Sequence, residues 1–298
     1  MLQKYNALNN HILIFVKDKL YARDEAKVSV FDSTVQGGDA VWEGLRVYNG
    51  KVMCLSHHLN RLFESAKTLA FANVPDEKFI RNAIKETIDA NKMHNDAHIR
   101  LTLSRGEKYT SGMDPRLNDK GCCLIVLAEH KKLVYDQLKG MSVISTSIRR
   151  NNPQFLDSKI HHNNLLNNIL AKIQANVYGA DAALMLDERG FASELNDTNI
   201  FVIKNNKVFT PFASNCLPGI TRKTVMDLCF SLDIEVMEKD ISLSELYNAD
   251  FMFSSGTMGE LTPIFEIDGR YLPIHNELYT TILCQFKERI PLLCENII

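Results

Sequence analysis

Along the first 130 residues, short apolar runs of strand length alternate with stretches that repeat at helical spacing. HILIFV (11–16) is a continuous apolar run, and VYNGKVMCL (47–55) divides at Asn49-Gly50, a dipeptide that favours a type I′ hairpin turn. Ser56 is the expected cap of the next segment, HHLNRLFESAKTLAF, whose Leu59, Leu62, Phe63, Ala66 and Leu69 share one helical face. A second helix is expected after Pro75-Asp76, with Phe79, Ile80, Ile84 and Ile88 in phase. AHIRLTLS (97–104) and CCLIVLAE (122–129) read as strands. Between them RGEKYTSGMDPRLNDKG is a polar loop of a length that is usually functional or disordered.

The second half restarts with a strand at MSVISTS (141–147). A strong helix follows, in which Leu165, Leu166, Ile169, Leu170, Ile173 and Val177 form one apolar stripe that Gly179 stops. AALML and NIFVI are strands with turns at DERG and NN. LPGITRKTVMDLCFSL opens a helix after Pro218-Gly219, FMFSSGT is a strand ending in small residues, and an amphipathic helix spans roughly 276–290. The charged stretch EHKKLVYDQLKG is the natural break. The pattern predicts an α+β protein of two domains, 1–130 and 141–298, joined by a linker at 131–140.

Composition narrows the class. The 298 residues are 45% hydrophobic and 23% charged, which fits a globular core rather than a disordered chain. A formal charge of −2 without a long basic run argues against nucleic acid. No apolar stretch approaches the roughly 20 residues that cross a bilayer, and the N-terminus does not read as a signal peptide. Seven irregularly spaced cysteines fit reduced thiols, so a cytoplasmic location is expected.

Candidate chemistry is sparse and local. Cys122-Cys123 with His130 is read as a buried strand rather than a metal site, because adjacent strand residues face opposite ways. His57-His58 is read as a helix start. His161-His162 lacks a carboxylate or cysteine at ligand spacing and is read as spacing into the following helix. QGGD (36–39) lacks the order of a phosphate loop and reads as a tight turn. LPGITR (217–222) and SSGTMGE (254–260) each fit either simple capping or an anion cup of unpaired N–H groups and hydroxyls. Arg61 fits either a solvated surface charge or a partner for that anion. Glu194 in SELNDTN reads as a turn acid on its own. An amine, an acid and two anion-type turns together suit pyridoxal 5′-phosphate, without demanding it.

Six segments resemble the class IV, fold-type IV, pyridoxal-phosphate aminotransferases: VWEGLRVYNG (41–50), HHLNRLFESAK (57–67), the lysine before an Asn-rich helix (159–168), SELNDTNIF (193–201), LPGITR and SSGTMGELTP (254–263). They occur in the family's order over nearly the whole chain. The resemblance implies a small N-terminal and a larger C-terminal domain, a homodimer, and pyridoxal 5′-phosphate as cofactor. It makes Lys159 the catalytic amine that carries the cofactor and moves the substrate proton. Glu194 would face the ring nitrogen. Arg61, Ile220, Thr221 and Thr257 would bind the phosphate, and Asn164 the phenolic oxygen. Lys159 is expected to be buried, which favours its neutral form. The loop RGEKYTSGMDPR would reach toward a partner subunit.

The chain departs from the branched-chain pattern around the substrate. Asn164 stands where a tyrosine is usual, Gly37 lies near another pocket tyrosine, Trp42 replaces a phenylalanine, and a Tyr–Arg pair becomes His98 and Arg100. Met258, Arg105, Lys108, Tyr109, Thr110-Ser111-Gly112 and Arg116 complete the candidate substrate set, the arginines as carboxylate ligands. Branched-chain L-amino acids with 2-oxoglutarate are the expected substrates. D-amino acids or (R)-amines are the alternative, followed by an aminodeoxychorismate lyase or a non-catalytic binding protein.

Overall fold

The computed structural model describes residues 5–135, 137 and 139–298. The described chain packs as two compact units, one of residues 5–132, Ile160–Asn164 and Pro291–Ile298, the other of Leu133–Lys159 and Leu165–Ile290. A single linker at 131–140 therefore does not describe the division, because the chain changes unit again on either side of 160–164 and after Ile290. Of the expected linker, residues 136 and 138 lie outside the described residues.

The N-terminal unit holds a seven-stranded antiparallel sheet among the described residues. Its spatial order is Cys294–Glu295, Lys51–Met53, Ala40–Tyr48, Ala97–Ser104, Cys123–His130, Leu13–Val16 and Lys19–Ala22. Asn49 and Gly50 both have positive φ, 50° and 73°, as a type I′ turn requires. Helices Leu55–Thr68 and Glu77–Asn91 bury Leu59, Leu62, Ala66, Ile80, Ile84 and Ile88 in the same core as strand residues Leu45, Val47, Ile99 and Leu101. Asp76 caps the second helix by accepting from the Phe79 amide at 2.7 Å. Ser56 does not cap the first: Cys54, left-handed at φ 51°, holds that position, and Ser56 hydrogen-bonds Glu295 from inside the helix.

The C-terminal unit holds a mixed sheet. Its spatial order is Val236–Lys239, Lys207–Pro211, Asn199–Lys204, Phe251–Gly256, Glu260–Ile267, Met141–Arg149, Ala182–Leu186 and Ala192–Leu195, with Arg270–Tyr271 pairing beside Glu260–Ile267. Met141–Arg149 and Ala182–Leu186 run parallel, which needs a crossover, and helix Leu166–Val177 supplies it. That helix lays Ala171 and Ala175 against Ala183 and Met185. Its large apolar stripe faces outward instead, from Leu166 at 68% exposure to Val177 at 77%. Alanine lets the helix approach the sheet closely, so the bulky residues are left on the far side.

Candidate functional site

In the C-terminal unit the site is organised around Glu194. It is not a turn acid: it lies within strand Ala192–Leu195, opposite Met185, and is 5% exposed. Arg150 Nε donates to its Oε1 at 2.5 Å, Asn199 Nδ2 to Oε2 at 3.0 Å, and the Leu217 amide to Oε1 at 3.2 Å. Burial raises the Glu194 carboxyl above its ordinary range, and Arg150 and the Leu217 amide oppose this without cancelling it. Asn199 also donates to the Leu217 carbonyl at 2.9 Å, which ties the acid to the LPGITR turn. Gly219 is required there, since a Cβ would stand 2.0 Å from Asn199 Oδ1.

Helix Ile220–Ser231 begins directly after this glycine, without a side-chain cap. The first-turn amides of Ile220 and Thr221 therefore have no intrahelical acceptor, the condition for anion binding. Arg222 is not part of that cup, because its guanidinium is committed to Glu238 and the Pro211 carbonyl. Thr257 sits in the turn after Phe251–Gly256, followed by Met258, whose carbonyl accepts from the Val134 amide. Ser255 pairs with Asn199 across the strands. Around this acid and turn, Arg150 Nη1, Thr198 Oγ1 and Ser255 Oγ are buried without a hydrogen-bond partner among the described residues.

Lys159 lies in a turn, its amide donating to Asp157 Oδ1 at 2.9 Å. Contrary to expectation the residue is exposed. It lines a cavity of about 660 Å³ together with Glu188, Arg189, Asn215, Glu238 and Asp240. Asn215 joins this cavity to the acid's strand, since its carbonyl accepts from Ser193, the neighbour of Glu194, at 2.7 Å.

In the N-terminal unit Arg61 is neither solvated nor isolated. It donates through Nε and Nη2 to Glu43 at 2.7 and 2.6 Å, and Glu43 is completely buried. His58 Nδ1 meets the same carboxylate at 2.6 Å and His161 Nδ1 at 3.1 Å. Burial alone pushes the Glu43 carboxyl up, but His161 and Arg61 hold it well below the usual range. The imidazole of His161 is pushed down to about 4 by burial, so it is neutral at pH 7. Segment 160–164 runs along strand Ala40–Tyr48: the Trp42 amide donates to the His161 carbonyl and the Asn163 amide to the Ala40 carbonyl. The reading of His161-His162 as spacing is thereby corrected, and so is that of His58 as a mere helix start. Only their placement on the fold reveals Glu43 as their partner, 15 and 118 residues away in the chain.

The substrate candidates divide sharply. Arg100 stacks on Trp42, 3.7 Å from the ring centroid, and donates to Asn163 Oδ1 at 2.6 Å. Arg46, Arg61, Arg105, Arg150 and Arg222 each have a carboxylate. Arg100 has none among the described residues of its unit, and burial lowers its pKa to about 10. His98 lies on the same strand, pushed down to about 3 by burial and the surrounding cations. Arg105 is not a free carboxylate ligand: it pairs with Asp39 at 2.6 Å and donates to the carbonyls of Leu69 and Ala70. Lys108 is bound to the Gly112 carbonyl and Arg116 to Asp114. Tyr109 and Asn164 are exposed, and Gly37 ends the short helix Ser33–Gly37 with open space around it. The loop carries a 3-10 turn at Pro115–Leu117.

The class IV aminotransferase family model matches residues 40–267. The branched-chain-amino-acid aminotransferase-like protein 2 of Arabidopsis thaliana is 56% identical over 89% of this chain, which spans about half (47%) of that relative. A branched-chain-amino-acid aminotransferase of Pseudomonas aeruginosa is 30% identical, covering 87% of this chain and 85% of its own. A D-alanine aminotransferase of Listeria innocua is 33% identical, covering 86% and 88%. Among solved structures, the branched-chain aminotransferase of the archaeon Thermoproteus uzoniensis with norvaline superposes with a TM-score of 0.86 at 28% identity, covering 97% of this chain and 100% of that one. The mixture of sheets and helices is thus the fold of those enzymes, and the chain belongs to the class IV aminotransferase family.

Proposed function

We propose that the protein is a pyridoxal-phosphate-dependent aminotransferase that moves an amino group from a branched-chain L-amino acid to 2-oxoglutarate. The observation that carries this reading is Glu194, a buried acid held by Arg150, Asn199 and Leu217 at the mouth of an uncapped helix. The residues fit the cofactor: three buried polar atoms nearby lack partners among the described residues, and each such group costs about 1–3 kcal/mol until an acceptor or donor is supplied. When bound, pyridoxal phosphate supplies an aldehyde for the amine and a ring that withdraws electrons from the substrate Cα. Glu194 holds a proton at the ring nitrogen, and its raised carboxyl pKa suits a shared proton. Lys159 holds the cofactor through its ε-amine and moves the proton at the substrate Cα. Ile220, Thr221 and Thr257 bind phosphate, and so does Arg61, as the family resemblance assigns. Arg100, a cation with no carboxylate partner among the described residues of its unit, pairs with a substrate carboxylate, while Trp42 offers an apolar wall.

Kinetics are expected to be ping-pong, the first product leaving before the second substrate binds. Homodimerisation is part of the same reading, supported by the outward apolar stripe of helix Leu166–Val177. So is a cytoplasmic location, supported by seven unbridged cysteines. A D-amino-acid transaminase is the second reading, favoured by the similarity to the Listeria enzyme and by the exposed Asn164 in place of a tyrosine. The test is a donor panel of L-leucine and D-alanine with 2-oxoglutarate or pyruvate. Turnover of L-leucine supports the first reading, turnover of D-alanine alone the second, and turnover of neither overturns both.

A further inference from the structure

We propose that His161 is a positioning residue that fixes Arg61 for anion binding by completing the donor set of Glu43. The inference rests on the proposed role of Arg61 toward the cofactor phosphate. A carboxylate offers about four lone-pair directions, two on each oxygen. Glu43 Oε1 takes Arg61 Nε at 2.7 Å and His161 Nδ1 at 3.1 Å, and Oε2 takes Arg61 Nη2 and His58 Nδ1, both at 2.6 Å. The buried carboxylate is thus saturated, and His161 fills the last place. An ionised Glu43 has no proton to give, so His161 meets it through Nδ1–H. The 3.5 Å approach of Arg61 Nη2 to the same nitrogen is then a contact between two donors.

His161 is itself held from three sides. Its amide donates to Ser65 Oγ at 3.1 Å, one helical turn beyond Arg61. Its carbonyl accepts from the Trp42 amide at 2.9 Å, and its ring lies 4.2 Å from the Trp42 ring. Trp42 in turn carries Arg100. One imidazole, two residues after Lys159, therefore touches the carboxylate that orients one arginine and the indole that supports another. Without it Oε1 of the buried Glu43 loses a donor, and the Arg61 fork loses its fixed counterpart. An effect through Arg61 must be felt by the phosphate of a ligand and not by its ring.

The test compares pyridoxal 5′-phosphate with pyridoxal, which lacks the phosphate, by equilibrium dialysis against the cofactor-free protein. His161→Ala is expected to weaken pyridoxal 5′-phosphate about tenfold, the worth of one hydrogen bond to a charged group, with pyridoxal changed less than about twofold. His161→Gln, which moves the N–H away from the Nδ1 position, is expected to show the same selective loss, and it carries the test should the alanine variant fail to fold. His161→Asn, whose amide mimics Nδ1–H, is expected to restore phosphate-dependent binding. Equal losses for both ligands, or no loss for pyridoxal 5′-phosphate, overturn the role of His161. A wild-type protein that gains nothing from the phosphate overturns the Arg61 reading beneath it.

Discussion

Replacing Glu43 by glutamine keeps the shape of the side chain and removes its charge. The structure allows the cost to be worked out. Glu43 is 0% exposed and receives N–H groups on both oxygens. A glutamine must turn its NH2 toward one of the two pairs, either Arg61 Nε with His161 or Arg61 Nη2 with His58. Either way an Arg61 N–H faces another donor, and the Arg61 charge keeps no anion in this cluster. Breaking a buried ion pair by removing one partner costs roughly 3–5 kcal/mol. At about 2–4 °C per kcal/mol for a domain of this size, Tm should fall by roughly 10 °C. The assay is thermal unfolding followed by far-UV circular dichroism at pH 7.5, with Asp114→Asn as a control. Asp114 pairs with Arg116 on an exposed loop, so the control should melt with the wild type. A Glu43→Gln variant melting within about 2 °C of wild type would refute the assignment of a saturated, ionised carboxylate. A double variant with Arg61→Gln should lose less than the sum of the single losses, because the two residues share one interaction.

Other expectations follow from the same contacts. Arg100→Met should lower kcat/KM for 2-oxoglutarate about tenfold to a hundredfold, the worth of a hydrogen bond between charged groups; unchanged steady-state kinetics would remove Arg100 from the substrate site. His98 has its pKa pushed from 6.5 down to about 3 in the fold. Below pH 6.5 the unfolded chain therefore takes a proton that the fold refuses, and stability is lost as pH falls, by about 2 kcal/mol at pH 5. His98→Asn should flatten that loss in urea melts between pH 7 and 5, and an identical slope would contradict the burial of His98. Ile169→Glu places a charge on the outward stripe of helix Leu166–Val177 and should turn a dimer into monomers in sedimentation velocity; an unchanged species would place any interface elsewhere.

The strands and helices of the core were largely legible because burial leaves a periodic trace. Asn49-Gly50 announces its hairpin, Asp76 its helix, and Ile80, Ile84 and Ile88 the buried face. The helix after Lys159 was legible as a helix, but not in its orientation: sequence weights leucine over alanine, whereas close packing on the sheet selected Ala171 and Ala175. Lys159, Glu194 and the LPGITR turn stood out by resemblance. Their surroundings did not, since Arg150 meets Glu194 across 44 residues and His161 meets Glu43 across 118. Such partners follow from strand register and the return of 160–164 to the N-terminal unit, and neither has a local signature. Arg105 misled for the same reason: a loop arginine looks available until Asp39, 66 residues earlier, is seen to hold it.

The central claim is that Lys159 carries the cofactor. Loading the protein with pyridoxal 5′-phosphate, reducing it with borohydride and mapping the peptides by mass spectrometry tests it directly. The predicted result is one stoichiometric phosphopyridoxyl adduct on Lys159, absent from Lys159→Ala and lost when the protein is first treated with an amino donor. An adduct spread over several lysines, or one that persists in Lys159→Ala, would contradict it.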